Sequence, residues 1–171
     1  MKKLLIALSA ICCTASLFAQ LPAVTGKAIN KNTKVVDGWL VQGQNVDKKS
    51  IVIKTNDKGL VTSHVFSPVK DGFLFFSGKA LSMQKGDSFE LSCKVKGSGV
   101  VRLGYVSYSG TNKLLFSSRS KEFKLTGEVD TFKASFDATD GKDYPTATIR
   151  PFINVHANSK VELLEMKMVE E

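Results

Sequence analysis

The segment Ser88-Phe89-Glu90-Leu91-Ser92-Cys93-Lys94-Val95-Lys96 decides the fold class of this chain. Its apolar and polar residues alternate, so that Phe89, Leu91, Cys93 and Val95 fall on one parity. Neighbouring side chains of a β-strand point to opposite faces of the sheet, and alternate ones share a face. The segment therefore predicts a strand with one face in a hydrophobic core and the other in water.

The same period of two recurs along the rest of the chain, in short runs separated by Gly, Asn, Asp and Ser. Strands or extended segments are predicted over residues 35–42, 50–55, 60–66, 73–77, 88–96, 100–108, 114–118, 122–125, 131–137, 146–157 and 160–169. Residues 50–66 are predicted to form a hairpin, and Gly97-Ser98-Gly99 is predicted to be a turn between two strands. About ten short strands without a long helical pattern indicate an all-β domain, either a sandwich or a barrel.

The N-terminus has the pattern of an export signal. Lys2 and Lys3 precede a nearly continuous apolar run from residue 4 to residue 18, and Ala19 is a small residue that suits a cleavage site. We therefore expect a signal peptide over residues 1–19, an irregular lead-in over 20–34, and a single domain over 35–171. The expected location is outside the cytoplasm: periplasmic, on the cell surface, or secreted.

The same residues argue against two alternatives to a cleaved signal. A spanning helix needs about 20 apolar residues, whereas this run is shorter and is followed by Pro22 and polar sequence. No transmembrane segment is expected after cleavage. Cys12 and Cys13 raise the option of a lipoprotein, but the residue before each of them is not small, as a lipid-attachment site requires.

Removing residues 1–19 of the 171 leaves 152, which fits one domain. Cys93 is then the single cysteine, on the inward parity of its strand, and we expect it to be buried and to form no intrachain disulfide. The net charge of +8 falls by two with Lys2 and Lys3. The basic residues are scattered and do not alternate with aromatic ones, which argues against nucleic acid as a partner and leaves acidic glycans or an anionic envelope as options.

Three stretches carry a resemblance to a known family. They are Asp37-Gly38-Trp39, the stretch LSMQKGDSFELSCKVKG at residues 81–97, and residues 130–136 followed by the strands at 146–156 and 160–169. In order and spacing these resemble the carbohydrate-binding-module-like, galactose-binding-domain-like jelly rolls of secreted bacterial proteins. The resemblance implies an antiparallel β-sandwich with jelly-roll topology. Where the family often has an Asp pair that includes a calcium ligand, this chain has Leu164-Glu165, so a structural calcium is not supported and no cofactor is expected.

Catalytic signatures are missing from the sequence. His64 and His156 are the two histidines, and neither belongs to a His-Glu-x-x-His motif or another ligand-spaced set. There is no Gly-x-Ser-x-Gly elbow and no phosphate loop before a helix. The acidic residues lie mostly in turns and on solvated strand faces. We therefore predict no catalytic and no metal-binding residues, and a protein that is not an enzyme.

Strand parity points instead to a binding face. In the strand at 146–157, one face carries Arg150, Phe152, Asn154 and His156. An aromatic ring packs against the C–H face of a sugar, while planar polar groups bind hydroxyls in fixed directions. These four residues are therefore a candidate glycan site. The alternative is that Phe152 belongs to the core and that the polar residues simply face solvent.

Three further residues are candidates for the same site. Arg102 and Tyr108 share one parity of the strand at 100–108, and they would extend the site if that strand lies beside 146–157. Trp39 is the single tryptophan, and it is either a sugar platform or a core residue. The sequence thus favours a non-catalytic module that contacts a glycan or cell-surface polysaccharide, which could be acidic. The alternative is a structural component of the envelope or of an extracellular assembly, with a protein partner.

Overall fold

The computed structural model describes residues 20–32, 34–43, 48–70 and 72–171. The predicted signal peptide lies outside the described residues. Within them the chain forms a short 3-10 turn at Lys48–Ser50 and ten strands. The strands are β1 (Trp39–Gln42), β2 (Ile51–Thr55), β3 (Val61–Phe66), β4 (Phe73–Ser77), β5 (Leu81–Ser82), β6 (Ser88–Tyr108), β7 (Leu114–Arg119), β8 (Phe123–Asp137), β9 (Thr148–Val155) and β10 (Lys160–Glu170). Nowhere in this part of the chain is a helix long and apolar enough to cross a membrane.

The ten strands form one continuous antiparallel sheet that curls into two layers, which confirms the predicted all-β sandwich. The first layer runs β2-β3-β10 and continues into the first half of β6 and the second half of β8. The second layer runs β1-β4-β9 and continues into the second half of β6, with β7 and the start of β8 beside it. The rings of Phe66 in β3 and Phe75 in β4 meet between the layers, with their centroids 5.1 Å apart.

The two halves of β6 form one strand, so the predicted turn at Gly97-Ser98-Gly99 is wrong. The chain bends here without reversing, and the register with β8 shifts between Lys96 and Ser98. Gly97 has a φ of 135°, and the carbonyl oxygen of Lys160 lies where a Cβ atom would be. Glycine therefore serves a bend that carries one strand from the first layer into the second. Likewise, Gly127 does not end β8.

The core lies between the layers. Trp39 stacks on Phe75 with ring centroids 4.8 Å apart, and its Nε1 atom donates a hydrogen bond of 2.9 Å to the carbonyl of Pro22. The lead-in is therefore attached to the domain, and its Val24 is buried in the same core. Cys93 is buried as predicted, and burial raises the pKa of its thiol to about 12. The opposite face of the second layer is left open.

A candidate ligand-binding cleft

The open face of the second layer is organised by β9. The strand register places Asn154 between Arg102 of β6 and Leu74 of β4. Two residues earlier, Phe152 lies between Gly104 of β6 and Phe76 of β4. Because register partners of paired strands point to the same face, these side chains share the face turned away from the core. A cleft of about 830 Å³ lies over this face.

The polar end of the cleft holds Arg102, Asn154 and His156, the opposite end holds Tyr108 and Leu114, and polar and apolar residues mix between them. Its polar lining comprises Gln42, Arg102, Ser117, Arg119, Asn154 and His156. Its apolar lining includes Leu74, Phe76, Val106, Tyr108, Leu114 and Leu115. Leu114 is 60% exposed, which leaves apolar surface open at the edge strand β7. A ligand in this cleft would therefore meet planar polar groups and an aromatic ring in one groove.

Hydrogen bonds hold the polar end in position. The Nη2 atom of Arg102 lies 2.7 Å from Oε1 of Glu122, and Nδ1 of His156 lies 3.9 Å from the same oxygen. The Nδ2 atom of Asn154 donates a hydrogen bond of 3.1 Å to the carbonyl of Phe73. The two hydrogen bonds orient Arg102 and Asn154 before any ligand arrives, whereas His156 is too far from Glu122 to form one.

The structure brings together four of the seven residues that the sequence analysis singles out. Arg102, Tyr108, Asn154 and His156 all line the cleft. Arg150 lies on the same face, where its guanidinium carbon is 5.2 Å from the centroid of the Tyr108 ring. It packs over one face of that ring and is not among the residues that line the cleft.

Two of the predicted ligand contacts require correction. Trp39 is 1% exposed, because it faces the core and stacks on Phe75. Phe152 faces the cleft side but has no exposed surface, and its Cζ atom lies 2.6 Å from where a Cβ atom of Gly104 would be. Phe152 therefore packs into the space above that glycine and forms the floor under the cleft. Neither ring can stack directly on a ligand in this arrangement.

Other lining residues were missed by sequence reasoning. Gln42, Ser117 and Arg119 belong to strands whose place in the sheet no local pattern shows. Phe76 reads as core in the apolar run at 73–77, but it turns toward the cleft while Phe75 turns inward. Strand alternation within that run would have placed Phe76 and Phe75 on opposite faces. Because the run is apolar on both faces, the sequence does not show which face lies in the core.

Several polar atoms on this face are buried without a partner. Among the described residues, five buried side-chain nitrogen or oxygen atoms accept or donate no hydrogen bond. Two belong to His64 in the core, and the other three are Arg102 Nε, Arg150 Nε and Thr148 Oγ1. Buried polar groups are normally satisfied by protein atoms or ordered water, so these three atoms mark places on this face where no described protein atom supplies the partner.

The charges of the cleft are one-sided. Its described lining carries the guanidinium groups of Arg102 and Arg119 and no carboxylate. In the part of the chain that the structure describes, no group of three or more His, Cys, Asp or Glu residues is placed to hold a metal ion. The described lining thus provides hydrogen-bond donors, positive charge and aromatic surface.

No protein-family model matches the chain, and no curated protein matches it. Solved structures do. A structure of CBM4 aligns with a TM-score of 0.52 at 12% identity, over 88% of this chain and 95% of that one. The CBM22-1–GH10 modules of Clostridium thermocellum endo-1,4-β-D-xylanase 10B, complexed with xylohexaose, align at 0.55 and 12% identity, over 91% of this chain. An arabinose-bound MgGH51 α-L-arabinofuranosidase aligns at 0.54 and 12% identity, over 90%.

The chain spans less than a third of the last two structures, 29% and 26% of their lengths. At these identities the likeness concerns the fold. The chain has the carbohydrate-binding-module-like β-sandwich fold that its sequence resembles.

Proposed function

We propose that this chain is an exported, non-catalytic module that binds a glycan in the cleft over β4, β9, β6 and β7. The observation that carries the proposal is the cleft itself, in which the Tyr108 ring shares a groove with Arg102, Asn154 and His156. The leader at residues 1–19 supports export. The sandwich folds of CBM4 and of the xylanase modules support this class of function.

The chemistry of the lining suits a sugar. A half-exposed aromatic ring can cover the C–H face of a pyranose, and its position is supported by the Arg150 guanidinium. Asn154 uses its amide nitrogen on Phe73, and none of the described residues donates to its Oδ1 atom. That oxygen can accept a hydrogen bond from a sugar hydroxyl, while Arg102 can donate to one.

The lining also favours binding over hydrolysis. Glycoside hydrolysis ordinarily needs two carboxyl groups on opposite sides of the scissile bond. The described lining holds none, and Glu122, which contacts Arg102 from outside that lining, is engaged in an ion pair. Binding without bond cleavage is the activity that this set of residues supports.

A role in protein assembly has less support. The exposed large apolar residues of the described chain lie on different strands and loops; they are Ile29, Val52, Val69, Leu114, Val129, Tyr144 and Val169. Single apolar residues on a surface are normal, whereas a protein interface is expected to show a contiguous patch. The assembly alternative is retained as an outcome of the experiment below.

The test is a glycan array followed by calorimetry on Tyr108→Ala and Asn154→Ala. We expect each variant to lose about tenfold or more in affinity, because the ring contact and the amide hydrogen bond are each worth of the order of 1 kcal/mol or more. Tyr144→Ala is the matched control. Tyr144 is exposed, its ring contacts the Nζ atom of Lys113, and it lies outside the cleft lining. Its removal should therefore leave the affinity for the glycan unchanged.

Equal losses in Tyr108→Ala and Tyr144→Ala would contradict the assignment of the cleft. If the protein binds no glycan and forms oligomers in light scattering, the glycan-binding proposal is wrong and the assembly role is favoured instead. Circular dichroism of each variant separates a lost contact from a lost fold.

A further inference from the structure

Arg119 occupies a particular position on the cleft face. It is the register partner of Gly104, and Arg102 lies two residues before that glycine on the same strand. Arg102 and Arg119 are thus diagonal neighbours on one face of an antiparallel pair, about 7–8 Å apart at their backbones. Both side chains line the cleft, and the space over Gly104 is filled by the ring of Phe152.

The two guanidinium groups differ in their counter-ions. Arg102 is paired with Glu122. Arg119 is exposed, and no ion pair or hydrogen bond joins its side chain to any described residue. The guanidinium of Arg119 is therefore not neutralised by any described carboxylate. Its neighbour Arg102 has one described counter-ion, Glu122, which lies in the connection between β7 and β8.

We infer that the glycan bound in this cleft carries an anionic substituent, a carboxylate or a sulfate ester, held by Arg119 and Arg102. The inference rests on the proposed function and names its ligand class. A guanidinium fork matches the paired oxygens of such groups, and the resulting charge-assisted hydrogen bonds are stronger than those between neutral partners. The apolar end of the cleft, at Tyr108, takes the sugar ring, while the polar end takes the charge.

Glu122 is the resident counter-ion in this arrangement. Its Oε1 atom is 2.7 Å from Nη2 of Arg102 and 3.9 Å from Nδ1 of His156. An anionic group of the ligand would therefore compete with Glu122 for Arg102. Because Glu122 is exposed, it can move aside when the ligand binds. Its removal should therefore strengthen the binding of an anionic glycan, whereas a merely structural role would predict a loss.

The experiment compares glycans that differ only in charge. Trigalacturonate is titrated against its methyl ester, and a sulfated galactan oligosaccharide against its desulfated form, by calorimetry at two salt concentrations. We expect the charged member of at least one pair to bind and its neutral counterpart to bind about tenfold more weakly, as the loss of a charge-assisted hydrogen bond implies. Which pair responds identifies the anion.

Three variants complete the design. Arg119→Gln should lower affinity for the charged glycan about tenfold, with no effect on the neutral one. Glu122→Gln should raise affinity for the charged glycan. Lys94→Gln is the matched control: it removes the same charge from an exposed residue of the first layer, whose backbone register partner is Glu165, and affinity should stay unchanged.

The possible failures are distinguishable. Equal binding of charged and neutral glycans would overturn the anionic ligand and leave the glycan-binding function standing. Equal losses in Arg119→Gln and Lys94→Gln, with binding abolished at high salt, would mean general attraction by net charge and would also overturn the inference. A fall in affinity for Glu122→Gln would overturn the role of Glu122 as displaceable counter-ion. Binding of none of the glycans would count against the proposed function itself.

Discussion

His64 is an unusual core residue. Its ring has no exposed surface, packs against Phe75 with centroids 5.0 Å apart, and neither nitrogen has a hydrogen-bond partner among the described residues. Burial lowers the pKa of His64 from 6.5 to about 4. The unfolded chain therefore takes up the proton more readily than the folded one. The protein should therefore have its full stability above pH 6.5, and its free energy of unfolding should decrease as the pH drops from 6.5 toward 4.

His64→Leu removes both the unpaired nitrogens and the titration. We expect the variant to be more stable than the parent by about 1–3 kcal/mol at pH 7, with a larger gain at pH 5. Urea denaturation at a series of pH values measures this. His156→Gln, at the second histidine of the chain, should keep the acid destabilisation. Parallel pH profiles for the parent and His64→Leu would contradict the account.

Trp39 offers a spectroscopic check on the corrected site. It is the single tryptophan, it is buried, and it stacks on Phe75 on the side of the layer opposite the cleft. Saturating glycan should therefore leave tryptophan emission unchanged, while denaturant should shift it to the red. A fluorescence titration tests this directly. A change of emission on ligand binding would contradict the assignment of Trp39 to the core alone.

At the scale of the element, Gly104 sets the closeness of β6 to its neighbours. A Cβ atom there would meet the carbonyl oxygen of Ser118 in β7 and lie 2.6 Å from the Cζ atom of Phe152 in β9. Gly104→Ala must push β7 or Phe152 away, and overpacking of this kind costs about 1–3 kcal/mol.

The expected loss is measured as a lower denaturation midpoint, with reduced glycan affinity because the cleft floor moves. Gly110→Ala is the control, since the nearest atom to its added Cβ is 4.0 Å away. That variant should change stability by less than about 0.5 kcal/mol. Equal destabilisation by both substitutions would show that the close approach at Gly104 is not the cause.

The elements also show what the sequence could predict. Alternation in residues 88–96 predicts the first half of β6, and the turn residues Asn56-Asp57-Lys58-Gly59 predict the β2–β3 hairpin, because both are local signals. The bend at Gly97 escaped prediction, since a glycine with positive φ serves a turn and a bend equally well. Strand parity predicts that Arg102 and Tyr108 share one face and that Asn154 and His156 share another. These two faces form one site only because β6 pairs with β9, which the sequence does not show. Pairing between distant strands leaves no local trace in a sequence.

At the scale of the whole molecule, the cleft is formed mainly by strands, with Gly43, Gly72, His156 and Ala157 just beyond strand ends. Its lining draws on β1, β4, β6, β7 and β9. A site carried on hydrogen-bonded strands is held in a fixed geometry, so little ordering is needed when a ligand binds. The same arrangement explains why Phe152 is useful without touching a ligand, since it supports the floor from which the polar groups project.

The position of β10 has a consequence for how the chain reaches its native state. This last of the described strands lies in the middle of the first layer, between β3 and β6, and the ion pair between Lys54 and Glu162 joins residues 108 positions apart. Such long-range pairing slows folding, because a large loop must close before the contacts form. The layer cannot be completed until β10 has been synthesised. A built-in delay of this kind suits a polypeptide that, if exported as proposed, crosses a membrane before it folds.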